Sequence, residues 1–149
     1  MNLDTLATSP VSSRRGGRLV VAALGLMLLA AAMWAAWLGW DHEYHQVDGE
    51  TQGPYRSWQV IGCGACICLA AVVAQLKVRG TSAVVVLAAA ATAGLAAPWS
   101  LDASATDESG LWMVGLVFLL LLVGGGLVVL LGFTEAAARW RRPVPKDAR

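Results

Sequence analysis

Four long stretches of this sequence contain no Asp, Glu, Lys or Arg, at residues 19–40, 58–76, 81–97 and 111–133. They are 22, 19, 17 and 23 residues long, and a helix needs about 20 apolar residues to cross the hydrocarbon core of a bilayer. The chain is 57% hydrophobic and 14% charged, so it is more apolar than an ordinary soluble domain. The pieces between the stretches are too short to bury a core of their own. The sequence therefore predicts an all-α, four-helix transmembrane bundle.

This prediction divides the chain into three parts. Residues 1–18 form a disordered cytoplasmic tail, residues 19–133 the four-span transmembrane domain, and residues 134–149 a basic cytoplasmic tail. A cleaved secretory signal is excluded for the first stretch, because its apolar run is too long and ends in tryptophan. The alanine-rich third span is expected at the centre of the bundle, and the Leu- and Val-rich fourth span is expected to face lipid.

The basic residues predict the orientation. Ten of the eleven Lys and Arg residues lie in segments 1–18, 77–80 and 134–149, and basic residues near span ends are retained in the cytoplasm. Both termini are therefore predicted to be cytoplasmic, with the protein in the bacterial cytoplasmic membrane. The basic tails are expected to contact anionic lipid, and nucleic-acid binding is not expected.

Small residues at four-residue spacing indicate where the helices touch, since helices in lipid associate by close backbone approach. The predicted contact ladders are Ala31, Ala35 and Gly39 in the first span, Gly62, Cys66, Ala70 and Ala74 in the second, and Ala90 with Gly94 in the third. Three consecutive glycines, 124–126, interrupt the fourth span. They are interpreted as a packing notch, with a gating hinge as the alternative.

The first outer loop is the densest polar cluster. It combines two imidazoles with several carboxylates, and the candidate metal ligands are Asp41, His42, Glu43 and His45. These donors suit zinc or calcium, although their spacing matches no standard motif. The alternative is a solvated acidic loop without a ligand.

Three cysteines lie in the second span, and Cys63 and Cys66 have C-x-x-C spacing. In this spacing and in its four spans the chain is similar to membrane thiol oxidoreductases of the DsbB and vitamin K epoxide reductase kinds, which implies thiol/quinone chemistry at this pair. Those families use a second cysteine pair in an outer loop, and the loops here have no cysteine. Cysteine as a small packing residue is the other interpretation.

The spans contain no ionisable group, which a transporter would normally carry there. Thr92 is the polar side chain at mid-span, so an oligomeric pore lined by Thr92 is kept as an alternative. No Ser-His-Asp set, phosphate-binding loop or dinucleotide fingerprint is present, and the sequence indicates neither an enzyme nor a cofactor.

Residues Gly53-Pro54-Tyr55 and Trp58-Gln59-Val60 occur at the mouth of the second span. With the span layout, this phrase resembles small four-span integral membrane proteins of high-G+C bacteria, which implies a setting and no catalytic residues. We therefore expect an accessory or scaffold subunit that acts through helix packing and the acidic outer loop. Its expected partners are the bilayer and other membrane proteins or a second copy of itself.

Overall fold

The computed structural model describes residues 10–40, 45–47, 50–52, 55–107 and 109–141, with the backbone alone at 10–14, 45–47 and 50–52. Its helices are α1 (Pro10–Trp37), α2 (Ser57–Val78), α3 (Thr81–Thr106), α4 (Trp112–Leu119) and α5 (Gly125–Trp140). A π-helical segment, Leu120–Gly124, joins α4 to α5 in one continuous span. Two short antiparallel strands, β1 (His45–Val47) and β2 (Glu50–Gln52), lie between α1 and α2.

Four of these helical stretches are long and apolar enough to cross a membrane, which confirms the predicted four-helix transmembrane bundle. They are Arg15–Trp37, Ser57–Val78, Thr81–Thr106 and Trp112–Trp140. A helix satisfies its own backbone hydrogen bonds, and this is why a charge-free stretch of this length folds as one in lipid. We call the end of the bundle with the α2–α3 turn the turn end, and the end with β1 and β2 the hairpin end.

All four spans extend beyond the charge-free stretches, and the longest extensions are in the first, third and fourth spans. The first begins at Pro10, so residues 10–18 are helical and not part of a disordered tail; proline suits a first helical position because its fixed φ matches the helix. The third helix continues through Pro98 to Thr106. Within this extension, hydroxyl groups bond to carbonyls of the preceding turn, as Ser104 Oγ does with Leu101 at 3.0 Å.

The third helix lies at the centre of the bundle, as the sequence predicts. It contacts α1, α2 and each part of the fourth span, whereas α1 and the fourth span do not touch in the described part of the chain. The bundle is therefore a flattened rhombus in which α1 and the fourth span are the flanks. Both flanks present wide apolar surfaces outward, so the first span shares the lipid exposure expected of the fourth.

The small-residue ladders of α1 and α2 lie one position away from the most buried residues, at the edge of the contact faces. The buried column of α2 is Gln59, Cys63, Ile67, Ala71 and Gln75, and the predicted ladder beside it is only partly buried. On α1 the buried positions are Leu26 and Ala30, with Leu38 just after the helix, while Ala35 of the predicted ladder is exposed. One residue rotates a helix face by about 100°, so small size alone does not select the face.

The predicted helix contact at Gly94 is the one that the structure confirms most clearly. A Cβ at this position would overlap the carbonyl oxygen of Met27 on α1, and it would reach 3.0 Å from the Ala30 Cβ. Only glycine allows the α1 and α3 backbones to approach this closely. Gly62 has a similar role, since a Cβ there would overlap the indole of Trp37.

The three glycines of the fourth span do not form the predicted notch for a bulky neighbour. Gly124 faces Thr92, whose Oγ1 would lie 3.5 Å from an added Cβ, and Gly125 and Gly126 face open space. Gly124 ends the π-helical segment. A π-helical turn accommodates one extra residue in a helix, so the irregularity in this span is a local change of helical pitch.

Candidate functional site

Four polar side chains are buried in the described part of the chain: Gln59, Gln75, Thr92 and Glu135. A polar group in an apolar interior costs free energy unless it is hydrogen-bonded, so each of them must have a reason to be there. Gln59 and Gln75 belong to the buried column of α2, near its two ends. The largest group of connected polar residues surrounds Gln75 and Glu135 at the turn end.

The Glu135 carboxylate joins three parts of the bundle. Its Oε2 accepts hydrogen bonds from Gln75 Nε2 at 2.9 Å and from the Gly80 backbone N at 3.1 Å. Its Oε1 accepts from Arg139 Nε at 3.0 Å, one turn further along α5. Both carboxylate oxygens are thus occupied, by donors from α2, from the α2–α3 turn and from α5.

Neighbouring groups extend this network. Arg139 Nη2 donates to Thr81 Oγ1 at 2.8 Å, which ties α5 to the start of α3. Gln75 Nε2 also donates to the Gly80 carbonyl at 3.2 Å, while Gln75 Oε1 is buried without a partner among the described residues. We call Gln75, Gly80, Thr81, Glu135 and Arg139 the turn-end clamp.

The turn between α2 and α3 has a backbone shape that the clamp holds in place. Arg79 has a φ of 54° and Gly80 a φ of 116°, and the first of these is unusual for a residue with a side chain. Arg15 of α1 donates from Nη2 to the Arg79 carbonyl at 3.2 Å. All four spans therefore meet at this turn.

The chemistry of the clamp is structural. Glu135 is only 9% exposed, and its three hydrogen bonds all go to groups that hold the helices and the turn together. Sequence reasoning missed this residue because the charge-free fourth stretch ends at Phe133. The signal that could have found it is the Glu135 and Arg139 pair at i, i+4 on an extended helix.

The hairpin end has its own polar contact. Gln59 Oε1 accepts from the Arg56 backbone N at 2.7 Å, which satisfies an N–H group at the start of α2. Beside it, the rings of Trp37 and Trp58 meet edge to face with centroids 5.9 Å apart. The contact between the two tryptophans joins the end of α1 to the start of α2.

The candidate metal ligands cannot be placed side by side. Asp41, His42 and Glu43 lie outside the described residues, and of His45 only the backbone is described, where it pairs with Gln52 across the strands. The metal site therefore stays a prediction.

The cysteines and Thr92 lie inside the bundle or at its edge. Cys63 is buried in the core at 2% exposure, and Cys66 and Cys68 are partly buried, all three as free thiols. Thr92 is also buried and donates from Oγ1 to the Ala88 carbonyl at 2.8 Å. A pore between copies would need this hydroxyl on an outer surface, and it faces the fourth span of its own chain instead.

Comparison of the chain with protein-family models, with curated proteins and with solved structures gives no match. The resemblance to small membrane proteins of high-G+C bacteria therefore stays a prediction.

Proposed function

We propose that this protein is a non-catalytic accessory or scaffold subunit of the bacterial cytoplasmic membrane, which binds other membrane proteins through an outward helix face. The observation that supports this proposal is the outer surface of the fourth span. Gly125, Gly126 and Gly132 have nothing within 4 Å of the position that a Cβ would take. Glycine on a lipid-facing helix permits close approach of another helix, which is how helices associate in lipid.

The position of this span in the bundle adds support. The fourth span is a flank that does not touch α1 in the described part of the chain, so a partner can pack against it without displacing a helix. Inside the bundle, the turn-end clamp and the Trp37–Trp58 contact hold helices together. The fourth span is one of the two open flanks and is the one proposed for association, with the acidic outer loop as a second contact.

Site-specific photocrosslinking in intact membranes tests the proposal. A benzophenone amino acid at Val129, which is 57% exposed on the glycine-bearing flank, should give a defined protein adduct. The same probe at Leu69, 67% exposed on α2, is the matched control and should give lipid adducts alone.

Leucine at Gly125 and Gly132 completes the test, because it fills the surface without a clash inside the bundle. We expect the Val129 adduct to disappear in this double variant while the melting temperature stays the same. Adducts with lipid alone at Val129, or a protein adduct that persists in the double variant, would overturn the proposal.

A further inference from the structure

A groove of about 600 Å³ opens between α1 and α2 at the turn end. It is lined by Gly17, Arg18, Val21, Ala22, Lys77 and Val78. The lining combines two cations with small and apolar side chains. A groove of this composition on a lipid-facing surface is filled by a molecule with an anionic head and an apolar body.

The cationic residues and the apolar residues of the lining follow one another along the helix axes. Arg18 and Ala22 lie one turn apart on α1, and so do Gly17 and Val21. Lys77 lies in the last turn of α2. The cations are thus at the end of the groove next to the α2–α3 turn, and the apolar residues Val21 and Ala22 continue toward the middle of the membrane.

No acidic side chain among the described residues pairs with the cations of this groove. Arg139 forms the ion pair with Glu135, whereas neither Arg18 nor Lys77 forms one with any residue that the structure describes. Arg15 and Arg79 add two more positive charges nearby, since Arg15 bonds to the Arg79 carbonyl and Arg79 Nε to the Leu76 carbonyl. Four cations together create a positive potential that attracts an anion.

We propose that this groove binds one anionic phospholipid, with its phosphate at Arg18 and Lys77 and an acyl chain along Val21 and Ala22. Val21 is 71% exposed, so the chain would cover an apolar surface that the protein leaves open. A free phosphate ion would match the cations and leave this surface uncovered. A phospholipid satisfies both halves of the groove.

Native mass spectrometry of the full chain in mild detergent tests this assignment, with phosphatidylglycerol and phosphatidylcholine of identical acyl chains as probes. We expect one phosphatidylglycerol to be retained in preference to phosphatidylcholine. Removing both cations in R18Q/K77Q should lower this retention roughly twentyfold or more, because a basic residue near the surface contributes roughly a fivefold gain in affinity.

Two further variants distinguish binding of the lipid in the groove from its attraction to positive charge in general. Gly17→Trp fills the groove with all charges kept, and a Cβ at Gly17 meets nothing within 4 Å, so retention should fall while folding is unchanged. Arg141→Gln removes a cation at the same end of the bundle but outside the groove, and retention should stay the same. Excess inorganic phosphate should leave the bound lipid in place.

The result that overturns the proposal is equal retention of the two lipids, or a loss in Arg141→Gln as large as in R18Q/K77Q. Displacement of the lipid by inorganic phosphate, or unchanged retention in Gly17→Trp, would also count against a groove that holds an acyl chain.

Discussion

Gln75 donates from Nε2 to Glu135 Oε2 over 2.9 Å and joins the second helix to the fourth span. The two residues are 60 positions apart in sequence, and both are buried. Because the same carboxylate oxygen accepts the Gly80 N–H, one side chain holds the turn, α2 and α5 together. The stability of the turn end depends on this carboxylate.

Glu135→Ala should therefore lower the free energy of unfolding by about 2 kcal/mol, because the Gly80 N–H and one N–H bond of the Gln75 amide lose their acceptor. Glu135→Gln keeps an acceptor oxygen and should lose less. Thermal unfolding in mild detergent, followed by circular dichroism, measures both. Equal melting temperatures for Glu135→Ala and the wild type would contradict the role of the clamp.

Gly94→Ala should destabilise the bundle by about 2 kcal/mol or more, because the added Cβ overlaps the Met27 backbone and forces α1 away from α3. Gly25→Ala is the matched control, since nothing lies within 4 Å of its added Cβ. Its stability should change by less than about 1 kcal/mol. The close contact of α1 and α3 is refuted if the two variants unfold alike.

Deleting one residue within the π-helical segment tests its role in helical register. Removal of Leu121, which is exposed, should convert the segment to regular α-helix and leave Glu135 facing Gln75, because a π-helical turn accommodates one extra residue. Removal of Val129, which follows the segment in sequence, should rotate Glu135 away from Gln75 by about 100°. We expect a clearly lower melting temperature for the second deletion, and the reverse order would disprove this explanation.

Asp107 predicts a pH dependence of stability at the hairpin end. Its carboxylate accepts from the Ser109 hydroxyl and N–H and from the Trp112 N–H at the start of α4. The Ser109 hydroxyl bond first, and then these backbone bonds, hold the pKa of Asp107 below its usual 3.8. A lowered pKa in the folded state means that the stabilisation is present above pH 3.8 and is lost as the pH falls through the folded-state pKa.

Asp107→Asn is the variant that checks this sign. Wild type should unfold at a higher temperature than Asp107→Asn at pH 7, and the two melting temperatures should converge below the lowered pKa. A difference that is constant from pH 7 to pH 2 would show that the charge of Asp107 contributes nothing.

The predicted orientation is tested by labelling single cysteines in a variant whose three native cysteines are alanine. A membrane-impermeant maleimide should label Gln46→Cys in intact cells and should label Ala148→Cys only after permeabilisation, because the basic residues near the span ends are retained in the cytoplasm. Labelling of Ala148→Cys in intact cells would reverse the topology.

The sequence predicts the number of spans and the central third helix, because the backbone in lipid must form helices and the alanine-rich segment suits close packing on several sides. It does not predict which face of α2 is buried. The column from Gln59 to Gln75 contains two amides and Ile67, and a rule based on small residues selects the neighbouring row. Gln75 has its partner Glu135 60 positions away in sequence, and no local pattern reveals this pair.

The candidate site, like the fold, is only partly predicted by the sequence. The turn-end clamp depends on Glu135. A span defined by the absence of charged residues ends before Glu135, although the helix continues to Trp140. The groove brings Arg18 next to Lys77, and their sequence positions show only that both are near span ends. The predicted metal ligands in the outer loop are untested by the structure.

The two buried glutamines of α2 have a consequence for how this helix sits in the bilayer. They are 16 residues apart, or about 24 Å along the axis. Gln75 is bonded to Glu135 of the fourth span, whereas Gln59 is bonded to the Arg56 backbone at the start of its own helix. A sliding movement of α2 by one turn would pull Gln75 from Glu135 and push one of the two amides toward the hydrocarbon. The pair thus fixes the depth of the second helix against vertical displacement.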